Sequence, residues 1–213
     1  MSEVLGKMAE KLIAGDIDGV VDLTKEALNG GIAPPDVLEN GLLAGMDVVG
    51  QRFKANDMFI PEVLRCARAM HGAMAILRPL LSESDAIRPG KLVVGTVKGD
   101  LHDIGKNLVV MMLKGSGFEV DDLGVDCRME HFQEAAERGA QVICLSALLS
   151  TTRDEMRPVA EYFSENTDIK IVVGGAVITQ EFADDIGADA FGIDASDAVR
   201  AVRASLNLEA AAA

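Results

Sequence analysis

A histidine between two aspartates is the feature of this sequence best suited to chemistry. His102 has Asp100 two residues before it and Asp103 directly after it. A carboxylate bound to one imidazole nitrogen fixes the tautomer of the ring and makes the other nitrogen a better metal ligand. Gly105 follows, and a glycine lets a bulky group approach the backbone closely. Taken alone, the same pattern more often marks aspartates that cap the next helix, with an exposed histidine.

Two further segments of small and hydroxyl-bearing residues follow in order along the chain. The first is 146–152, in which Ser146 and Leu148 precede a loop rich in hydroxyl groups. The second is the pair Gly174-Gly175. Both segments come directly after apolar, β-rich runs. Together with the histidine segment they favour a binding site over simple helix capping, provided that the fold brings them together.

The elements that position these residues follow from the periodicity of the second half of the chain. Short β-rich runs alternate there with helical stretches, which predicts a parallel sheet with helices on both faces. The predicted strands are 92–97, 118–123, 142–146, 169–173 and 190–193. The predicted helices are 104–114, 130–138, 152–163, 180–186 and 196–206. Because such a sheet binds ligands outside the carboxyl ends of its strands, the three segments are expected at one edge.

The first half of the chain shows helical periodicity throughout. Asp16 is placed to cap a second helix, and prolines open the third and fourth. Four helices with short connections predict a small antiparallel bundle. The break at Arg88-Pro89-Gly90 predicts a helical domain, 1–88, and a flavodoxin-like or Rossmann-like domain, 89–213. The predicted fold class is therefore α/β, with an N-terminal four-helix bundle followed by a five-stranded parallel sheet.

Composition excludes several other classes of protein. Acidic residues outnumber basic ones, 34 to 20, and a net charge of −14 would repel nucleic acid and anionic membranes. The three cysteines, Cys66, Cys127 and Cys144, lie far apart with no C-x-x-C pairing, so the sequence suggests neither a cysteine zinc site nor a disulfide framework. The N-terminus lacks the basic start and apolar stretch of a secretory signal, so we expect a cytoplasmic protein.

These motifs resemble those of the cobalamin-binding modules of methyltransferases. The family pattern is D-x-H-x-x-G, then S-x-L, then G-G, and this chain has all three in order and at the family's separations. The resemblance implies that His102 is the lower axial ligand of the cobalt in a bound cobalamin or related cobamide. The cofactor's own base would then occupy a slot beside the sheet. Asp100 would bind the other nitrogen of His102, and Thr152, where the family usually has serine, would end this relay.

The same resemblance implies a wider set of cofactor contacts in the second half of the chain. They are Gly99, Asp100, His102, Asp103, Ile104, Gly105, Ser146, Leu148, Ser150, Thr152, Gly174, Gly175 and Ala195.

The resemblance extends into the helical half, which looks like the cap of these proteins. In the family the cap lies over the upper face of the corrin and shields the cobalt–methyl bond. Phe53 and Ile60 stand at the shielding positions, and Glu39 stands at another contact position. On periodicity alone, Phe53 and Ile60 would be ordinary core residues.

The resemblance implies a methyl carrier. In the family, Co(I) accepts a methyl group, and methyl–Co(III) then donates it to a thiol or to tetrahydrofolate. No second catalytic set accompanies His102, so we expect one methyltransferase to load the chain, a second to unload it and a corrinoid reductive activator to restore it. The stand-alone corrinoid proteins of methylamine, methanol and betaine metabolism are the nearest likeness, and nothing in the sequence selects the methyl donor.

Three alternatives remain. The cobalamin-binding subunit of an adenosylcobalamin-dependent mutase would share the D-x-H-x-x-G half but ordinarily lacks the helical cap. A cobalamin-sensing regulator would need a DNA-binding domain, which the acidic charge disfavours. A flavodoxin-like electron carrier would bind phosphate in the loop after the first strand, where Asp100 and Asp103 would repel it.

Overall fold

The computed structural model describes residues 3–81, 90–166 and 168–208. They form two compact units, a helical one within residues 1–89 and an α/β one that begins at Gly90. The predicted break at Arg88-Pro89 lies outside the described residues, so the domain boundary between 88 and 89 stays a prediction. None of the helices in the described ranges is long and apolar enough to cross a membrane.

Residues 3–81 of the helical unit form four helical stretches, as the periodicity predicts, and the third combines a short α-helix, a π-helical segment and a second α-helix. Asp16 caps the second by accepting a hydrogen bond from the Gly19 N–H at 3.0 Å. Glu62 accepts one from the Phe59 N–H at 2.8 Å and so fixes the start of the last helix. The elements are α1 (Glu3–Ile13), α2 (Ile17–Asn29), α3 (Pro34–Val37), a π-helical segment (Leu38–Leu43), α4 (Ala44–Lys54), α5 (Ile60–Leu77) and a 3₁₀ turn (Arg78–Leu80).

The π-helical segment is the feature of this unit that the sequence did not reveal. The pattern predicts one regular third helix, but the Ala44 N–H donates to the Glu39 carbonyl, five residues back. The wider turn accompanies a close approach of α1, because a Cβ at Gly41 would lie 2.8 Å from the Met8 Sδ. One extra residue in a turn leaves the apolar periodicity on both sides nearly intact, which is why the pattern gave no signal.

The α/β unit is a five-stranded, all-parallel sheet with the strand order β2-β1-β3-β4-β5, which confirms the predicted fold class. The order reverses at β1, so the carboxyl end of β1 lies at the switch point where such sheets bind ligands. The elements are β1 (Lys91–Val97), α6 (Ile104–Gly115), β2 (Glu119–Cys127), α7 (Met129–Glu137), β3 (Val142–Ser146), a 3₁₀ turn (Arg153–Glu155), α8 (Met156–Asn166), β4 (Lys170–Gly174), α9 (Gln180–Asp185), β5 (Ala190–Gly192) and α10 (Ala195–Ser205).

The two faces of the sheet have different surroundings. One face packs against α7, α8 and α9 in a continuous apolar core, with Phe132 and Phe163 almost fully buried in it. The other face, which carries Val94, Cys144 and Val172, borders a cleft next to α6 and α10. The predicted elements are confirmed apart from their ends. The main differences are that β2 continues four residues beyond 123 and that Thr152 precedes a 3₁₀ turn instead of starting α8.

Candidate cofactor-binding site

The loop between β1 and α6 presents His102 at the carboxyl edge of the sheet. Gly99 turns the chain there with a φ of 79°, a conformation that favours glycine. The Thr96 hydroxyl donates to the His102 carbonyl at 2.9 Å and ties the loop to β1. The His102 side chain is half exposed, and its Nδ1 lies 2.7 Å from the Asp100 Oδ1. Its Nε2 makes no hydrogen bond within the described part of the chain and remains available to a ligand.

Asp100 is the buried centre of this arrangement. Its Oδ1 also accepts from the His102 N–H at 3.0 Å, while its Oδ2 accepts from the Leu148 N–H at 2.8 Å and from the Thr152 hydroxyl at 2.7 Å. Burial alone would raise the pKa of the Asp100 carboxyl, but these hydrogen bonds outweigh it and hold the pKa well below its ordinary value. Asp100 therefore stays ionised and orients the imidazole. These contacts are not those of an aspartate that only caps the next helix, which was the alternative interpretation.

A cleft of about 540 Å³ opens beside this loop on the α6 and α10 face of the sheet. It brings together nine of the predicted contact residues: His102, Asp103, Ile104, Gly105, Ser146, Leu148, Gly174, Gly175 and Ala195. Asp100 and Thr152 lie behind the lining, in the hydrogen-bonded relay. Gly99 and Ser150 are exposed and do not line the cleft.

The rim of the cleft is unusually apolar for an exposed surface. Ile104 is 86% exposed, Leu101 is 72% exposed and Ile193 is 71% exposed. Leu101 and Ile193 are absent from the predicted contacts, although each follows the end of a strand, which is the signal that could have identified them. Exposed apolar side chains around a concave site are typical of a surface that a large apolar ligand covers.

Three predicted contacts lie in the helical unit and are described there by themselves. Phe53 is partly exposed and Ile60 is 43% exposed, so neither belongs to the core of that unit, contrary to the expectation from periodicity alone. Phe59, which no sequence motif singled out, is 67% exposed beside Ile60. Glu39 is partly exposed and lies in the π-helical segment. Their contacts with a cofactor stay predictions.

Strand β2 braces the histidine loop through residues that no sequence motif indicated. Asp126 adopts a φ of 52°, its Oδ1 accepts from the Gly99 N–H at 2.7 Å, and its N–H donates to the Asp100 carbonyl at 3.0 Å. The Lys106 side chain, only 1% exposed, forms an ion pair of 2.5 Å with Asp122 of β2. Both contacts depend on the strand register, which a sequence pattern does not specify. The local signal for the Asp126 contact was a glycine within β2, because a glycine inside a strand often marks an irregularity in that strand.

Comparison with known proteins decides the family. Residues 90–203 match the family described as B12 binding domain, and residues 4–78 match a second family with the same description. The chain belongs to the B12-binding corrinoid proteins. The resemblance inferred from the sequence is thereby confirmed, and so is its cofactor class, cobalamin or a related corrinoid.

Individual corrinoid proteins match over almost the whole chain. A corrinoid protein of Desulfitobacterium hafniense strain Y51 is 39% identical over 92% of this chain and 94% of its own length. The trimethylamine corrinoid protein of Methanosarcina barkeri is 38% identical over 97% of this chain and 98% of its own length. A chain of the methanol:cobalamin methyltransferase complex MtaBC of the same organism superposes with a TM-score of 0.76 at 27% identity, over 97% of this chain and 80% of that chain.

The glycines of this corrinoid protein's cleft fit a large ligand. At Gly175, with a φ of 133°, a Cβ would lie 1.9 Å from the Ala147 carbonyl oxygen, so the fold itself requires glycine there. At Gly105 the opposite holds, because a Cβ would meet no protein atom within 4 Å. Gly105 lines the cleft, so the space beside it is space that a cofactor can fill. The described residues contain no cluster of three or more metal-ligating side chains.

Proposed function

We propose that this corrinoid protein is a methyl carrier. It accepts a methyl group on its cobamide from one methyltransferase and delivers it to a second, whose acceptor is a thiol or tetrahydrofolate. When bound, the corrin cobalt supplies the nucleophile that accepts the methyl group and the carrier that releases it. The protein supplies position, an axial ligand and protection from water.

The observation that supports this proposal best is the environment of His102. Its Nδ1 lies 2.7 Å from a fully buried carboxylate, so the ring proton lies on Nδ1 and the Nε2 lone pair points away from Asp100. In the bound protein, Nε2 would be the atom that holds the cobalt of the cofactor. The Thr152 hydroxyl, 2.7 Å from the other carboxylate oxygen, extends the relay and keeps Asp100 ionised. The threonine therefore replaces the family's usual serine without loss of the hydrogen bond.

The cleft gives the rest of the cofactor a place to lie. We assign Ser146 and Leu148 to the slot for the displaced base and Gly174, Gly175 and Ala195 to the passage of the nucleotide tail. The apolar rim at Ile104 suits the lower face of a corrin. Ser150, exposed in the loop after β3, is a further proposed contact at the slot entrance.

The helical unit is proposed to act as a cap. Phe53, partly exposed, and Ile60, exposed, would shield the upper face of the corrin, and Glu39 would contact its edge. The polar stretch 82–89 between the two halves is where the sequence predicts a hinge, and it lies outside the described residues. A cap of this kind supports the carrier over a mutase subunit, because a carrier must protect its methyl group between partners.

The partners are proposed from the relatives. One relative is named for trimethylamine, and another belongs to a methanol:cobalamin methyltransferase complex. These names support a substrate-specific methyltransferase as the loading partner, without selecting a methylamine or methanol. A second methyltransferase and a corrinoid reductive activator complete the proposed system.

Chemical methylation tests the proposal without knowledge of the donor. The cobamide-loaded protein is reduced, methylated with methyl iodide and mixed with a thiol or tetrahydrofolate, each with and without any methyltransferase found to be encoded beside its gene. We expect the visible spectrum to report rapid demethylation only when a methyltransferase is present. A methylated form that no neighbouring methyltransferase can unload, with either acceptor, would contradict the carrier function.

A further inference from the structure

Two rows of side chains cross the cleft face of the sheet, and their chemistry differs. The row at the carboxyl edge joins Thr96, Ser146, Gly174 and Gly192, which are paired across neighbouring strands. The next row inward, two residues back along β1, β3 and β4, joins Val94, Cys144 and Val172. All three inner side chains are almost fully buried, and they line the inner end of the cleft.

The polar side chains around the cleft are nearly all engaged elsewhere. The Thr96 hydroxyl donates to the His102 carbonyl, and the Lys106 ammonium binds Asp122 and Asn107. Asp194 caps α10 by accepting from the Asp197 N–H at 2.8 Å. The Ser146 hydroxyl, in contrast, has no hydrogen-bond partner within the described ranges. The cleft therefore offers one free side-chain hydroxyl at its edge and an apolar surface at its inner end.

We infer that this cleft selects the lower base of the cobamide, and that Ser146 and the inner row formed by Val94, Cys144 and Val172 favour a benzimidazole base over a purine. The inference rests on the proposed function, because the base reaches the cleft only when His102 replaces it on the cobalt. It adds a choice of cofactor, namely which class of cobamide the protein accepts.

The argument follows from the polar atoms of each base. A benzimidazole released from cobalt exposes one ring nitrogen, which the Ser146 hydroxyl can satisfy. Its other edge is a hydrocarbon ring that gains from burial against Val172 and Cys144. Adenine adds an amino group and further ring nitrogens. Burying these against an apolar row without partners is unfavourable, because each unpaired polar group retains its desolvation cost.

Isosteric variants of the inner row test the inference. Dissociation constants are measured for cobamides that carry 5,6-dimethylbenzimidazole, adenine or p-cresol, and for cobinamide, which has no base. Val172→Thr keeps the side-chain shape but places a hydroxyl at the inner end. Val93→Thr is the matched control, because Val93 is an equally buried strand valine on the opposite face of the sheet. The free energy needed to detach each base from cobalt is a property of the cobamide alone, so it cancels when the dissociation constants of a variant and of the wild type are compared.

We expect Val172→Thr to reduce the benzimidazole-to-adenine affinity ratio on the order of tenfold, while Val93→Thr leaves it unchanged. Ser146→Ala should weaken binding of both nitrogen bases but not of the p-cresol cobamide, whose base lacks a ring nitrogen. An affinity ratio that is the same in the wild type and Val172→Thr would overturn the inference, as would a Ser146→Ala effect of equal size on all four ligands.

Electron spin resonance of the Co(II) form separates this outcome from failure of the proposed function. Nitrogen coupling from His102 with every cobamide, together with an unchanged affinity ratio, overturns the base selection alone. Absence of that coupling with every cobamide overturns the histidine ligation, and the base selection with it. Coupling together with the expected change in ratio supports both.

Discussion

Replacing Asp100 by asparagine is the sharpest test of how the protein controls its axial histidine. Asp100 accepts four short hydrogen bonds, two on each carboxylate oxygen, at 2.7–3.0 Å. Asparagine keeps the size of the side chain but offers one oxygen, so one pair of donors faces an amide NH₂. If the NH₂ faces His102, the ring must accept at Nδ1 and carry its proton on Nε2, where it cannot bind cobalt. If the NH₂ faces the other way, the Leu148 N–H loses its acceptor.

Either orientation weakens ligation. Loss of a carboxylate partner behind a metal-binding histidine typically lowers metal affinity about 10–100-fold, or roughly 1.4–2.8 kcal/mol. We therefore expect the fraction of Co(II) cobamide bound to histidine to fall in Asp100→Asn, measured by nitrogen coupling in electron spin resonance. Asp154→Asn makes the same substitution at an exposed position and should leave the spectrum unchanged. A wild-type histidine-bound fraction in Asp100→Asn would refute the role of Asp100 in orienting the ring.

Three further predictions follow from the same loop and cleft. Gly175→Ala should lower the melting temperature sharply in calorimetry, because its Cβ would overlap a backbone oxygen. Gly105→Ala should melt like the wild type but bind cobamide more weakly in a binding titration. Equal melting temperatures of the two variants would contradict this prediction. Asp126→Ala should reduce the histidine-bound fraction of the Co(II) form. Asp126→Asn should largely restore that fraction, since asparagine tolerates the positive φ and keeps an acceptor for the Gly99 N–H. Equal histidine-bound fractions in the two variants would show that Asp126 does not support the loop. Burial raises the pKa of the Cys144 thiol to about 12, so at pH 8 this thiol should react with iodoacetamide far more slowly in the folded than in the urea-unfolded protein. Mass spectrometry should also show the rate in the folded protein still rising above pH 10. Equal rates at pH 8 would show that the inner end of the cleft is open.

The sequence predicts which residues lie together where their position depends on strand ends. Each of the three motifs follows a β-rich run, and parallel strands bring their carboxyl ends to one edge whatever their length. That is why the sequence alone suffices to place His102, Ser146 and Gly174 together. The order of strands and helices followed from the same alternation of periods.

What the sequence could not supply are contacts that depend on register and on distance along the chain. Asp100 has the same local pattern whether it caps a helix or orients a histidine, and the decision comes from Thr152, which lies 52 positions away. The brace from Asp126 depends on a left-handed residue at the end of β2. The exposure of Phe53 and Ile60 depends on which neighbouring helices cover them, and the apolar periodicity of a helix does not specify those neighbours.

The identity of the axial ligand is the central claim, and one spectrum tests it directly. The protein is produced with 15N-labelled histidine, so that histidine coupling differs from that of the cobamide's own base. It is loaded with cobamide, reduced to Co(II) and measured by electron spin resonance, as wild type and as His102→Ala, with His131→Ala as a control from the surface of α7. The account predicts coupling to one histidine nitrogen in the wild type and in His131→Ala, and its loss in His102→Ala. Histidine coupling that persists in His102→Ala would contradict the assignment of His102 as the cobalt ligand.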